Sequence, residues 1–266
     1  MMLGVFTDED KTARLSQERR RKAFDEDRLR KSAREYDCDF RKIRRLQPEG
    51  ARRALLPYLR RRTPVLLRID RPDHWVALVG AERGKILLLD SIEPSALCVA
   101  SWNQLRRRWV VEETRTANAR YDFFPVIPRF RVLTRPNLSL GHVRQLRRRE
   151  NKDIAHFWND YVADLLDIGR VRSAQSEKVR SLGEFLARHE GMILDQVEHW
   201  HGGVDRRRAE RVIRHLRFVA DTLGMVISRK ELNRAIASTA VLLTLWAEGE
   251  RKGQPIYRKS RPGRRR

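Results

Sequence analysis

The stretch that decides the fold of the first half of this chain is Asp73-His74-Trp75-Val76-Ala77-Leu78-Val79-Gly80, at the centre of residues 62–109. Apolar runs cover residues 64–69, 74–81 and 85–90, and each run is short and bounded by Pro, Gly or charged side chains. Runs of this kind indicate β-strands rather than helices. Glu82-Arg83-Gly84 separates the last two runs, and its glycine predicts a hairpin turn.

The register of this hairpin predicts which side chains meet. With a turn centred near Arg83, His74 lies opposite residue 92 and diagonal to Asp90, so both side chains share one face of the sheet. A carboxylate bonded to one imidazole nitrogen fixes the tautomer and stabilises the imidazolium, as a general base requires. His74 and Asp90 are therefore the candidate catalytic pair. The alternative is that His74 only caps a buried strand.

The flanking segments predict an α+β architecture, with helices first and a mostly antiparallel sheet after them. Residues 51–62 have the apolar spacing of an amphipathic helix, and residues 97–101 indicate a further strand. Ser101 and Gln104 form a capping-box pattern, which predicts that a helix begins at Ser101. Residues 121–127 are aromatic and β-prone, and are expected to close the sheet.

The second half of the chain reads as helical from about Arg135 onward. Four or five helices with short loops are predicted, which together make an all-α bundle. The predicted segments are residues 151–168, 176–189, 192–200, 205–223 and 228–247. The predicted domains are a first domain over residues 1–130, the helical bundle over 135–250, and a disordered basic tail over 251–266.

The positive charge is concentrated in the first half and the tail. Residues 1–150 hold 35 Lys and Arg against 20 Asp and Glu, residues 151–250 hold 15 of each sign, and residues 251–266 hold eight basic residues and no acid. Such a field favours nucleic acid, an acidic protein surface or anionic lipid, whereas an arginine-rich composition on solvated helix faces is the alternative. The candidate contacts for nucleic acid or an acidic partner are Arg106, Arg107, Arg108, Arg147, Arg148 and Arg149.

Several classes of protein are disfavoured by the composition. Two cysteines, Cys38 and Cys98, do not make a disulfide framework in 266 residues. No signal peptide opens the chain, and the weakly polar run 235–247 is too short to span a bilayer, so a cytoplasmic location without a membrane span is expected. The histidines at 199 and 201 fit no standard metal spacing, so neither a metal nor a cofactor is expected.

The strand, hairpin and helix motifs of the first half resemble a known family. The residues that carry the resemblance are Pro64-Val65-Leu66-Leu67, the run from Asp73 to Gly80, Leu89-Asp90-Ser91, and Ser101-Trp102-Asn103-Gln104-Leu105 with Trp109. They resemble the C-terminal half of papain-like cysteine peptidases of the bacteriocin-processing, double-glycine-leader type. The resemblance covers roughly residues 1–128 and implies a papain-like fold. It also implies a thiol hydrolase acting on a peptide or isopeptide bond, with His74 as the base and Asp90 as its orienting partner.

One part of the family pattern has no match in this chain. The nucleophilic Cys at the start of the first helix, and the Gln before it that helps to form the oxyanion hole, are both absent. Met2-Leu3-Gly4 looks like the end of that helix, so the chain either lacks an upstream segment or is a pseudo-enzyme. Cys38 is a poor substitute because Asp37 and Asp39 raise the pKa of its thiol, and Cys98 is expected to pack in the core.

The expected function is therefore that of a cysteine-peptidase-like protein that is inactive as the sequence stands. Its partner would be a peptide substrate or a protein if the catalytic set were complete. The alternative, from a different class, is a non-catalytic protein that keeps this scaffold and uses its basic surface on nucleic acid or an acidic partner.

Overall fold

The computed structural model describes residues 26–70, 74–90, 97–109, 112–113, 119–130, 132, 135–169, 178–252 and 256. The chain divides into two compact units, residues 1–147 and 148–266. The fold is of mixed α+β type with an antiparallel sheet, as the sequence predicts. The helix end predicted at Met2-Leu3-Gly4 and most of the predicted basic tail over residues 251–266 lie outside the described residues.

The first unit is built on one antiparallel sheet. Its strands are β1 (Cys38–Phe40), β2 (Ile43–Arg45), β3 (Val65–Arg68), β4 (Trp75–Glu82), β5 (Lys85–Leu89), β6 (Leu97–Ser101), β7 (Glu112–Glu113) and β8 (Ala119–Pro128). The strand order is β1-β8-β3-β4-β5-β6, and β2 and β7 also pair with β8. Every pairing is antiparallel. The predicted hairpin is therefore β4–β5, in the middle of the sheet.

The helices of the first unit are α1 (Glu26–Glu35), α2 (Pro48–Arg60), α3 (Trp102–Arg108) and α4 (Leu140–Arg147). Helix α2 has proline in its first turn, where a missing N–H costs no hydrogen bond. The predicted capping box at the start of α3 is confirmed, because Ser101 and Gln104 exchange side-chain-to-backbone hydrogen bonds. Helix α4 belongs to the first unit, although the sequence analysis assigned its residues to the bundle.

One face of the sheet packs against α2 and α3. Leu55 and Leu59 of α2 and Leu105 of α3 are buried in the same cluster as side chains of the strands. The strand residues of that cluster are Val65, Leu67, Ile69, Val76, Leu78, Ile86, Leu88, Ala100 and Phe123. His74 has the parity of Val76 and Leu78, and Asp90 has the parity of Ile86 and Leu88, so both point to this face.

The β4–β5 hairpin differs from the predicted one in two ways that cancel. Its turn has two residues, Arg83 and Gly84, and Glu82 pairs with Lys85 instead of belonging to the turn. A β-bulge at Val79 then shifts the register by one, so that Leu78 pairs with Leu88. When the register beyond the bulge is continued toward His74 and Asp90, it is the same as the predicted register. The extra residue in β4 is what turns His74 to the face of Asp90.

The second unit is mainly helical. Its helices are α5 (Lys152–His156), α6 (Trp158–Gly169), α7 (Leu182–His201), α8 (Arg206–Leu223) and α9 (Leu232–Arg251), with short 3₁₀ turns at Arg149–Asn151 and Arg229–Glu231. Two short strands, β9 (Val179–Ser181) and β10 (Val226–Ser228), pair antiparallel, and the sequence analysis did not predict them. Helix α8 begins after the N-cap Asp205 and ends before the left-handed Gly224, so it agrees closely with the helix predicted over residues 205–223.

The prediction of two helices on either side of Gly191 is wrong. Helix α7 continues through Gly191 without a break, because its buried side chains recur from Leu186 to Ile193 and Val197 along one stripe. A glycine inside a helix costs only about 1 kcal/mol, which a continuous apolar contact outweighs. The predicted helix over residues 151–168 is instead divided at Phe157 into α5 and α6.

Candidate active site

His74 and Asp90 meet at one end of the β4–β5 hairpin. His74 immediately precedes β4 and Asp90 immediately follows β5, and the imidazole Nε2 lies 2.9 Å from Asp90 Oδ1. Both side chains are buried, with 8% of His74 and 1% of Asp90 exposed. The hydrogen bond predicted from the register is therefore present, in a setting where water does not compete for it.

The other imidazole nitrogen faces a second carboxylate at longer range. His74 Nδ1 lies 3.8 Å from Asp70 Oδ2, which is too far for a hydrogen bond. Asp70 has a positive φ of 58°, and its backbone N–H donates to the carbonyl of Arg108. Nδ1 is thus the nitrogen through which this imidazole could exchange a proton with a third group.

Arg108 belongs to this site, whereas the sequence predicted it as a contact for nucleic acid or an acidic partner. Its guanidinium donates to both carboxylate oxygens of Asp70, at 2.7–3.1 Å, and lies 3.8 Å from Asp90 Oδ2. It therefore links the two acids on either side of His74. A bidentate arginine–carboxylate pair also holds Asp70 in a fixed direction.

Asp70 and Arg108 were not predicted as members of the site because no short motif connects them. They are 38 residues apart in sequence. They meet because Ile69, the residue after β3, forms a β-bridge to Trp109, the residue after α3. The Asp four residues before His74 was the available signal, but it could be interpreted only once the position of α3 was known.

Cys38 lies far from the His74–Asp90 pair. The strand registers place Cys38 opposite Pro128 of β8, whereas His74 is level with Ile69, and Ile69 with Tyr121. Seven residues along β8 and three strand spacings across the sheet correspond to a separation of roughly 20 Å or more. Without a large rearrangement of the sheet, the Cys38 thiol cannot exchange a proton with this imidazole.

The Cys38 thiol is also chemically unsuited to act as a nucleophile. It is 4% exposed and its Sγ lies 3.4 Å from the Tyr36 carbonyl oxygen. Burial raises the pKa of the Cys38 thiol to about 11, and the carboxylates of Asp37 and Asp39 contribute in the same direction. Cys98, opposite Leu88 in β6, packs against the core of the sheet.

The remaining predicted arginines fall into two groups. Arg106 and Arg107 are exposed on α3, and neither forms an ion pair with an acid among the described residues. Arg147 ends α4 in the first unit, whereas Arg148 and Arg149 belong to the second, and Arg148 lies 3.6 Å from Glu150. The site predicted over residues 147–149 is therefore divided between the units.

The described residues include neither a metal-binding cluster nor a membrane-spanning helix. Within the described ranges no group of three or more His, Cys, Asp or Glu side chains is arranged to hold a metal ion. The helices described for this chain also include none with the length and apolar character that crossing a bilayer requires.

Comparisons with known proteins do not identify a family. No protein-family model matches the chain, and no curated protein matches it. The chemical interpretation of the site therefore rests on its geometry.

Proposed function

We propose that the first unit is a papain-like, cysteine-peptidase-like scaffold of the bacteriocin-processing type. It keeps the base His74 and its carboxylate Asp90 but, within the described residues, has no thiol in reach. The observation that carries the proposal is the 2.9 Å contact between His74 Nε2 and Asp90 Oδ1 at the end of a central hairpin, with Nδ1 left for a third group. On this proposal the unit binds peptide and does not hydrolyse it, and the second unit is a helical bundle appended to the scaffold.

The chemistry behind the proposal is thiol activation by a held imidazole. When Asp90 accepts a hydrogen bond from Nε2–H, the lone pair is on Nδ1, so Nδ1 can take a proton from a thiol. The resulting imidazolium is stabilised by Asp90, and the thiolate is the reactive nucleophile. Arg108 would act as a positioning residue, because it orients Asp70 and lies close to Asp90.

Placing a thiol beside Nδ1 tests the proposal directly. In Asp70→Cys the sulfur occupies about the position of the Asp70 carboxyl carbon, close to the imidazole from which Oδ2 is 3.8 Å away. We expect iodoacetamide to alkylate this thiol at pH 6.5 at least tenfold faster than in Asp70→Cys/His74→Gln, because a free thiol is only about 1% ionised there. The thiolate carbon–sulfur bond forms as iodide leaves, and the thiol proton passes to Nδ1.

The comparison between the two cysteine variants separates the imidazole from Arg108, which loses its Asp70 partner in both. Cys38 is an internal control, and we expect its alkylation to be slow and unchanged by either substitution. Equal alkylation rates in the two variants would mean that the pair does not activate a thiol. Cleavage of a quenched fluorescent peptide library by the unaltered chain, lost in His74→Gln, would contradict the proposed inactivity.

A second candidate function is binding of nucleic acid through the exposed face of α3. The observation that favours it is that Arg106 and Arg107 are exposed and unpaired with acids among the described residues. Each phosphate contact that is lost makes the slope of log binding constant against log salt less steep. We expect Arg106→Gln/Arg107→Gln to reduce the slope of log binding constant against log salt by about 1.4–1.8, depending on strandedness.

The matched control for that measurement removes two positive charges elsewhere. Arg206→Gln/Arg208→Gln is suitable, because Arg206 is paired with Glu198 and Arg208 with Asp205. The control should leave the slope unchanged. A flat salt dependence of the unaltered chain, or equal losses in the two double variants, would exclude α3 as the nucleic-acid interface.

A further inference from the structure

A cleft with a strongly basic rim lies at the turn end of the β4–β5 hairpin. Its volume is about 280 Å³, at the lower limit of small-molecule sites. Leu56, Ile86 and Trp102 form part of an apolar lining. The cleft is separated from His74 by the length of β4, roughly 25 Å at the rise of a β-strand. It is therefore distinct from the candidate active site, and nothing argued for it depends on that site.

The charged residues that line this cleft are four cations and one acid. Arg52, Arg60, Arg83 and Lys85 line it together with Glu82. Glu82 is already engaged, because its Oε2 accepts a hydrogen bond from the backbone N–H of Leu140 at 2.9 Å. The lining thus carries an excess of positive charge over an apolar surface, and such surfaces focus the electrostatic field on an anion.

The cations are largely without strong partners of their own. Arg60 and Lys85 form no ion pair with any acid in the described part of the chain, and Arg83 reaches Glu82 only at 4.0 Å. Arg52 lies 3.6 Å from the exposed Glu49, and its guanidinium carbon lies 5.6 Å from the centroid of the Trp102 ring, within the range of a cation–π interaction. This interaction restrains the Arg52 side chain without using its guanidinium N–H groups, which can bind a ligand.

The backbone at Arg83 indicates a specific use of this side chain. Arg83 has φ of +49° and Gly84 has φ of +73°, as a type I′ turn requires at both central positions. Asn or Gly adopts positive φ at lower cost, whereas a long side chain is strained there by about 1 kcal/mol. The turn carries Arg at the rim of the cleft despite that cost.

We propose that this cleft is a phosphate-binding site. Guanidinium groups match phosphate oxygens with paired hydrogen bonds, and an anion of charge −2 or greater suits an excess of several cations. The ligand is a phosphate group, carried either by a phosphorylated small molecule or by a nucleic-acid backbone. Trp102 is 7% exposed and its Nε1–H donates to Glu49, so it offers no free face for base stacking. Recognition therefore rests on the phosphate itself.

Calorimetric titration of the full chain at low ionic strength tests this assignment, with tripolyphosphate and a short single-stranded oligonucleotide as separate probes. Arg60→Gln/Lys85→Gln removes two exposed cations of the cleft, and Arg106→Gln/Arg107→Gln removes the same charge from α3. We expect the cleft variant to bind tripolyphosphate at least tenfold more weakly, and the α3 variant to bind it within about twofold of the unaltered chain. Far-UV circular dichroism checks that both variants fold.

The outcomes decide both the site and the source of the phosphate. Tripolyphosphate binding that is lost in the cleft variant supports a site for phosphorylated small molecules. Binding of the oligonucleotide alone, lost in the same variant, supports a contact with backbone phosphate. The assignment is overturned if neither probe binds, if both double variants lose tripolyphosphate binding equally, or if the cleft variant binds both probes as tightly as the unaltered chain does.

Discussion

The buried histidine of the second unit gives the most quantitative prediction. His215 lies on α8 with 6% of its surface exposed, and its Nδ1 is 3.1 Å from the Tyr161 hydroxyl. Burial lowers the pKa of His215 from 6.5 to about 4, and Arg211 and Arg214 act in the same direction. Asp153 acts in the opposite direction but does not reverse the shift.

Proton linkage decides whether acid stabilises or destabilises the folded second unit. Between pH 6.5 and about 4 the unfolded chain binds a proton at His215 that the folded unit does not, so acid favours unfolding. The contribution of His215 is fully present above pH 6.5 and is lost as the pH falls toward 4. At about 1.4 kcal/mol per pKa unit, the lost free energy of unfolding is about 3 kcal/mol.

The perturbation that isolates this term is His215→Gln, because glutamine does not titrate and can still accept a hydrogen bond from Tyr161. Urea unfolding followed by far-UV circular dichroism, at pH values from about 7.5 to about 4.5, gives the free energy of unfolding for each protein. Between these pH values we expect the free energy of unfolding of the unaltered chain to fall by about 2.5 kcal/mol more than that of His215→Gln. The other titratable groups contribute equally to both proteins, so their contributions to the free energy of unfolding cancel in this comparison.

A second variant separates the imidazole from its hydrogen bond. Tyr161→Phe removes the hydroxyl but leaves His215 buried, so it should cost about 1 kcal/mol at every pH and keep the pH dependence. Parallel curves for the unaltered chain and His215→Gln would refute the reasoning. A directly measured imidazole titration near pH 6.5 would refute it as well.

Two further predictions concern the buried pair and the glycines. Asp90→Ala should lower the free energy of unfolding of the first unit by about 3 kcal/mol, because the buried His74 loses its carboxylate partner. Chemical denaturation measures this change, and a loss below about 1 kcal/mol would contradict the prediction. Gly169→Ala should destabilise the second unit by about 1–2 kcal/mol, since a Cβ there would lie 3.0 Å from the Val226 carbonyl oxygen. At Gly191 an added Cβ would have no atom within 4 Å apart from the neighbouring backbone of its own helix, so Gly191→Ala should instead stabilise the unit by about 1 kcal/mol. Shifts of equal sign in the melting temperatures of the two glycine variants would refute the contrast.

The sequence predicted the central part of the first unit well because local patterns decide it. Three short apolar runs separated by turn residues specify strands, and the capping box of α3 specifies its first residue. The contact between His74 and Asp90 followed from strand parity alone. The prediction of the turn length was wrong, but the bulge compensated for it.

The rest of the site depends on long-range packing that no local pattern encodes. Arg108 looked like one of three equivalent solvent-facing arginines on a short helix. Only the pairing of the β3 end with Trp109 brings its guanidinium to Asp70. The continuous helix α7 was missed for a related reason, because tertiary burial on both sides of Gly191 outweighs the local cost of glycine.

Because of the bulge at Val79, the number of residues in β4 decides which side chain faces Asp90. In a regular hairpin with a two-residue turn, residues that share a face are an odd number of positions apart, whereas His74 and Asp90 are 16 apart. Losing one residue between the turn and His74 would place Asp73 at the position of the imidazole, and gaining one would place Trp75 there. A one-residue length change that a surface loop would tolerate therefore exchanges a base for an indole or an acid at this position.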